Sequence, residues 1–307
     1  MNDAVNFRRR QLLLALAALP LGTPHVAFAT GSAPRVASLS WAGAQILVAL
    51  GLDPVAITER GNYVSFDTRP AMPAGTVELG LHSEPNLELL QALKPDFLII
   101  DTDQTGLTGR LESIAPTLTV DIYNPALGKP YARAALETLR IGTALGRERE
   151  AHAHLAEQDA QIAQNAQVIA GLGSMPPVLI ADLYDDGRHL YVYGPNSMMQ
   201  DVLERLNVRN AWHGSTSSGF LLMGIEELAS QPDAQMFYID RGLRNRIAFH
   251  NLQRSVLWNH LPFVQAKRIA PLPGFFTYGA TACAAQFAAE LTAGLVALDR
   301  AAGARHG

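Results

Sequence analysis

One long interruption constrains the fold more than any other feature. Residues 147–170 carry no glycine or proline, and Glu148, Glu150, Glu157, Asp159 and many Ala and Gln fill the run. Such a stretch predicts one continuous helix of about 23 residues, roughly 35 Å long, the width of a small domain. Gly146 precedes it, and Gly171-Leu-Gly-Ser-Met-Pro-Pro177 stops it. A solvated surface helix satisfies the composition. A rigid strut between two lobes also satisfies the strand–helix alternation that restarts immediately afterwards.

Before the strut, residues 35–39, 55–57, 97–100 and 118–122 read as strands. Residues 42–50, 107–114 and 129–145 read as helices. After it, residues 178–181, 190–193, 234–239 and 269–273 read as strands. Ser197 caps a helix reaching residue 206, residues 225–229 form a short helix, and a final helix closes the chain. Residues 59–75 read as a long loop with Tyr63 and Phe66, and residues 240–246 as a polar loop carrying Arg241, Arg244 and Arg246. The fold class is α/β: two α/β lobes joined by one long rigid helix, with a ligand cleft between them. The divisions are 1–29 (leader), 30–146 (first lobe), 147–171 (connecting helix) and 172–307 (second lobe).

Residues 79–95 hold the best-defined local unit. Ser83 or Glu84 can accept from the free N–H groups of a first turn, and Pro85 sits where a missing N–H costs little. Leu87, Leu89, Leu90 and Leu93 form an apolar face, and Lys94-Pro95 ends the helix. Asp101-Thr-Asp103 then follows the buried strand 97–100, and open α/β folds bind ligands beyond strand C-termini. His82 and the loop 101–104 are therefore site candidates, although an ordinary loop histidine fits the same pattern. The pattern returns later. Glu88 with Lys94-Pro-Asp-Phe-Leu-Ile-Ile100 echoes Glu226 with Gln231-Pro-Asp-Ala-Gln-Met-Phe-Tyr-Ile239, the sign of two similar half-structures.

The first 29 residues read as a leader. Arg8, Arg9 and Arg10 precede an apolar run too short to span a bilayer, and Ala27-Phe28-Ala29 is a small-x-small cleavage site. Arg9-Arg10-Gln-Leu-Leu13 fits a twin-arginine export signal, and the general route accepts the same features. Cleavage leaves 278 residues and moves the formal charge from −4 to −6. Neither value supports a basic nucleic-acid face, and no later run reads as a membrane span. The single cysteine, Cys283, excludes an intramolecular disulfide and any Cys-x-x-Cys chemistry; it reads as a small buried residue on a helix.

Catalytic motifs are missing. There is no Gly-x-x-x-x-Gly-Lys-Ser/Thr phosphate loop, Gly171-x-Gly173 leads into Pro-Pro, and residues 214–219 lack the Gly-x-Ser-x-Gly elbow. His152 and His154 point to different sides of their helix, and no metal-ligand spacing occurs. The expectation is a non-enzyme with no resident metal or cofactor. Aromatic residues do gather beyond predicted strands in both halves, among them Trp41, Tyr63, Phe66, Tyr191, Phe220, Phe276 and Tyr278, which fits an aromatic cleft.

Taken together, Glu84-Pro-Asn-Leu-Glu-Leu-Leu90, Lys94-Pro95, Tyr193-Gly-Pro-Asn-Ser197, Asn210-Ala-Trp212, residues 258–263 and Tyr278-Gly-Ala-Thr281 carry a resemblance. The chain resembles the periplasmic substrate-binding proteins of ferric-siderophore and cobalamin ABC importers, and within them the ferric-hydroxamate binders. The resemblance implies a shallow cleft between lobes that move little, a ferric siderophore as cargo, and no protein ligand to its iron. It implies ligand contacts from Trp41, Phe66, Tyr191, Phe220, Phe276 and Tyr278. His82 stands where the hydroxamate binders have an arginine, and Gln104 where they have a hydrogen-bonding tyrosine. Histidine offers fewer donors than arginine's planar fork, which implies a weaker or pH-dependent grip. Arg241, with Arg244 and Arg246, could receive a ligand carboxylate or be a solvated surface charge. Glu88 and Glu226 would dock a monomeric protein to an inner-membrane permease. A cobalamin or haem binder of the same fold, and more remotely a direct zinc or manganese binder, remain the alternatives.

Overall fold

The computed structural model describes residues 33–303; the leader, its cleavage site and the proposed start at Thr30 lie outside the described residues. Residues from Pro34 onward form one compact unit built on two five-stranded sheets. The first contains β1 (Val36–Ser38), β2 (Ala56–Ile57), β3 (Val77–Glu78), β4 (Phe97–Asp101) and β5 (Thr117–Val120), in the order β3-β2-β1-β4-β5. All its pairings are parallel. The second contains β6 (Val178–Leu183), β7 (His189–Tyr193), β8 (Phe220–Gly224), β9 (Gln235–Ile239) and β10 (Ile269–Leu272), in the order β10-β9-β6-β7-β8. Here β6, β9 and β10 are parallel, and the β6-β7-β8 meander is antiparallel. β1 and β6 are buried along their whole length and β4 through its centre, which matches sheets covered on both faces.

The predicted strut is the helix Glu148–Ala170. Its buried residues Ala151, Gln158, Ile162 and Ile169 recur at intervals of seven and four, a narrow stripe on an otherwise polar helix. Glu148 and Glu150 favour its first turn electrostatically. The preceding helix Pro130–Ala144 lies so near that a Cβ on Gly142 would sit 2.8 Å from the Cβ of Ala151. The final helix Thr281–Gly303 packs along the strut. Ala284, Phe287, Ala288, Leu291 and Leu295 enter a core that also holds Ile99 and Val120 of the first sheet and Ile180 and Phe237 of the second. A Cβ on Gly294 would lie 2.7 Å from the Phe237 ring, so glycine sets that approach. This core is continuous across the sheets, so opening the lobes would expose several large side chains, each worth about 1.5–3 kcal/mol of burial.

Three expectations change. Part of the 59–75 loop is the short helix Arg60–Ser65. The 240–246 loop already begins the helix Leu243–Leu252, which brings Arg244 against the buried Asp182 carboxylate. The stretch Thr281–Ala301 is apolar enough to pass for a membrane span, at mean hydropathy 1.4, contrary to the expectation that none follows the leader; 56% of it is buried inside the protein, as befits a core helix.

Candidate functional site: a cleft between two sheets

The five parallel strands of the first sheet end at one edge, and the residues that follow them line one cavity. Trp41 follows β1, Glu59 follows β2, His82 follows β3, Asp103 follows β4 and Tyr123 follows β5. The sheet order reverses between β1 and β4, the place where open α/β sheets form a crevice. Ser40 bridges it: its Oγ donates to Asp101 at 2.7 Å and caps the helix Trp41–Ala49 by accepting from the Gly43 N–H at 3.0 Å. Loops of the second half close the cavity with Ser218, just before β8, and Phe276 and Tyr278, beyond β10. The volume is about 640 Å³, a small-molecule size.

The aromatic wall is one connected set. Phe276 meets Trp41 edge-on at 4.7 Å, Trp41 meets Phe66 at 6.0 Å, and Tyr123 meets Tyr278 at 4.9 Å. The Trp41 indole N–H donates to the Thr58 carbonyl at 2.8 Å, and the Tyr123 hydroxyl donates to the Gly279 carbonyl at 2.7 Å. Burial holds the Tyr123 phenol far above the ordinary tyrosine range, so it stays a neutral donor. Tyr191 and Phe220 do not line the cavity. They continue the wall outward, with Tyr191 against Phe220 at 5.0 Å and Phe220 against Tyr278 at 6.0 Å.

The polar corner centres on His82. Its Nδ1 lies 3.1 Å from the Leu39 carbonyl, which can only accept, so Nδ1 carries a proton. Its Nε2 lies 3.1 Å from both oxygens of Asp103. A second ring proton or a bound cation satisfies that pair. Burial pushes the Asp101 carboxyl up to about 6, opposed by the Ser40 hydrogen bond and the charge of His82. Ligand atoms of His82, Asp101 and Asp103 lie within 4.8 Å of one another, a donor set suited to a divalent ion. The carbonyl on Nδ1 is the kind of partner that orients a metal-binding histidine.

Two expected contacts are placed elsewhere. Gln104 is buried beneath the corner: its amide nitrogen donates to the His82 carbonyl at 2.8 Å, and its oxygen accepts from the Asp101 N–H at 3.1 Å. It positions the His82 and Asp101 loops and does not face the cavity. Arg241 sits behind Phe66, 4.6 Å from the ring centre, bound to Asp182 at 3.1 Å and to the Phe275 carbonyl at 3.1 Å. Arg244 shares Asp182 through one nitrogen only, whereas Arg241 is held within the protein by Asp182 and the Phe275 carbonyl. The capping expected of Ser83 or Glu84 falls to Asn86, whose side chain accepts from Leu89 N–H; Pro85 instead bridges to Gly80. Sequence reading missed Glu59 and Tyr123. Tyr123 was recoverable, since it directly follows a predicted strand, the rule that drew attention to Asp101.

The chain belongs to the periplasmic binding protein family, whose model matches residues 36–274. It is 32% identical over 285 residues to the iron(3+)-hydroxamate-binding protein FhuD of Escherichia coli, spanning 91% of this chain and 93% of that protein. It is 29% identical over 289 residues to the achromobactin-binding periplasmic protein of Dickeya dadantii, at 85% and 86% coverage. Among solved structures it superposes on FhuD of Vibrio cholerae with Fe3+–Desferal bound, at a TM-score of 0.78 and 26% identity, covering 87% of this chain and all of that one.

Proposed function

We propose that this protein is the binding component of an ABC importer for ferric siderophores of the hydroxamate class, and that it hands its cargo to an inner-membrane permease. The observation that carries the reading is the cavity of about 640 Å³ walled by aromatic side chains from both halves of the protein. Such a wall suits a compact, largely apolar complex whose metal is already wrapped. The role asks for binding and release, not chemistry. The core that runs through both sheets keeps the cleft preformed, which lowers the ordering cost of binding.

Glu88 and Glu226 stand exposed at equivalent places of the two half-structures, each before a Pro-Asp turn and a buried strand. In this reading they dock one monomer to basic residues of the permease, one glutamate per lobe. Charge reversal at both is expected to abolish uptake while ligand binding by the purified protein persists; undiminished uptake would refute the assignment. The leader belongs to the same proposal, with export to the periplasm by either the twin-arginine or the general route.

The His82–Asp101–Asp103 set favours a second reading, direct capture of a divalent ion. Metal analysis of the purified protein separates the two. One tightly held equivalent, lost on His82→Ala, supports the second; metal-free protein that binds a ferric hydroxamate supports the first.

A further inference from the structure

The polar segment 240–246 serves two sides of the second lobe. Arg241 stands behind Phe66 at the cleft. Arg246 lines a different cavity, between the end of β9 and the helix Leu243–Leu252. Its volume is about 370 Å³, within the small-molecule range, and it shares no wall residue with the cleft. Asp240 is its only carboxylate, and Arg246 and His250 are its basic groups. One Asp240 oxygen accepts from the Gly242 N–H at 2.8 Å; the other has no partner among the described residues. The Arg246 guanidinium has neither an ion pair nor a hydrogen bond among them. Two opposite charges therefore line one cavity without pairing.

A buried donor in the same wall is also unused. Asn245 is 3% exposed. Its side-chain oxygen accepts from the Arg241 N–H, which can only donate, so the orientation of the amide is fixed. The amide nitrogen is left buried with no partner, a state that costs free energy until an acceptor arrives. Asn245 lies in the first turn of its ten-residue helix, which no side chain caps. The N–H groups of residues 243–245 have no partner among the described residues, and such a turn favours an anion. Beside these polar groups the wall is aromatic. Tyr238 meets Phe249 edge-on at 4.8 Å, and the hollow continues past both rings toward Trp258 and Ile269.

We propose that this cavity is a second binding site, outside the cleft, for a free α-amino acid with an apolar side chain. The ligand carboxylate is received by Arg246, the Asn245 amide nitrogen and the uncapped helix turn. Its ammonium group is received by the free oxygen of Asp240. Its side chain lies along Tyr238 and Phe249. A simple anion would leave Asp240 repelling it, and a simple cation would leave Arg246 and Asn245 unused. A zwitterion satisfies both charges and the buried amide together.

The test is calorimetric titration of the full protein with phenylalanine, phenylpropanoate, which lacks the amine, and phenethylamine, which lacks the carboxylate. Phenylalanine is expected to bind about five- to tenfold more tightly than either half-molecule. In Asp240→Asn, which keeps an acceptor for the Gly242 N–H, phenylalanine falls to the affinity of phenylpropanoate. In Arg246→Gln it falls to that of phenethylamine. Both positions are exposed, so neither substitution threatens the fold. No binding of phenylalanine, equal binding of either half-molecule by the wild type, or wild-type affinity in both variants overturns the proposal. Displacement of phenylalanine by a saturating ferric trihydroxamate would place it in the cleft and overturn the proposal as well. The titration does not require hydroxamate binding, so its failure leaves the proposed function intact.

Discussion

Gln45 is the most revealing residue to perturb. It is 1% exposed, on the helix Trp41–Ala49 that carries Trp41. Its Oε1 accepts from the Ala280 N–H at 2.7 Å, and its Nε2 donates to the Arg69 carbonyl and to the Cys283 thiol, each at 2.9 Å. One side chain therefore fastens the first lobe to the segment that presents Phe276 and Tyr278. Gln45→Leu keeps roughly the same volume and removes all three bonds. The Ala280 N–H is left buried and unpaired and the Arg69 carbonyl partly so, at about 1–3 kcal/mol each; an apolar side chain returns part of this, for a net loss of about 2–3 kcal/mol. In a chain of this size that lowers Tm by about 3–6 °C. Scanning calorimetry reads the shift directly. Burial pushes the Cys283 thiol up to about 12, so it is inert in the closed seam. Loosening the seam should speed its reaction with a thiol reagent under native conditions. A Tm within about 1 °C of the wild type, with unchanged thiol reactivity, would refute the reasoning.

Other expectations follow from single groups. Asp101 has its pKa raised by burial to about 6, so its protonated form is the one the fold favours. That contribution is complete below about pH 4 and lost as pH rises through about 6; Asp101→Asn should flatten this part of the stability–pH curve, measured by urea unfolding across the range. Asp182 pairs with both Arg241 and Arg244 and is itself nearly buried, so Asp182→Asn should cost about 3 kcal/mol, read as a lower urea midpoint at unchanged m-value. Replacing Arg9 and Arg10 by lysine should block export if the twin-arginine route is used, and cell fractionation shows whether precursor accumulates.

Much of the architecture was legible because it rests on local signals. The Gly/Pro-free run gave the strut, Ser197 caps its helix by accepting from Gln200 N–H, and the two Pro-Asp turns each feed a buried strand. Side-chain destinations that depend on distant partners were not legible. Gln104 reads as a ligand contact until His82 and Asp101 close over it. Arg241 reads as free until Asp182, 59 residues away, claims it. The left-handed backbone of Glu59 left no mark in the sequence, because the residue type does not announce it.

The most direct measurement is calorimetric titration of the purified mature protein with a ferric trihydroxamate, beside cobalamin, haem and free divalent metal. The proposed function predicts one saturable site for the ferric hydroxamate, weakened by Phe276→Ala, and no comparable binding of the others. Tighter binding of cobalamin or haem, or a metal that binds at His82 while the ferric hydroxamate gives no heat, would contradict it.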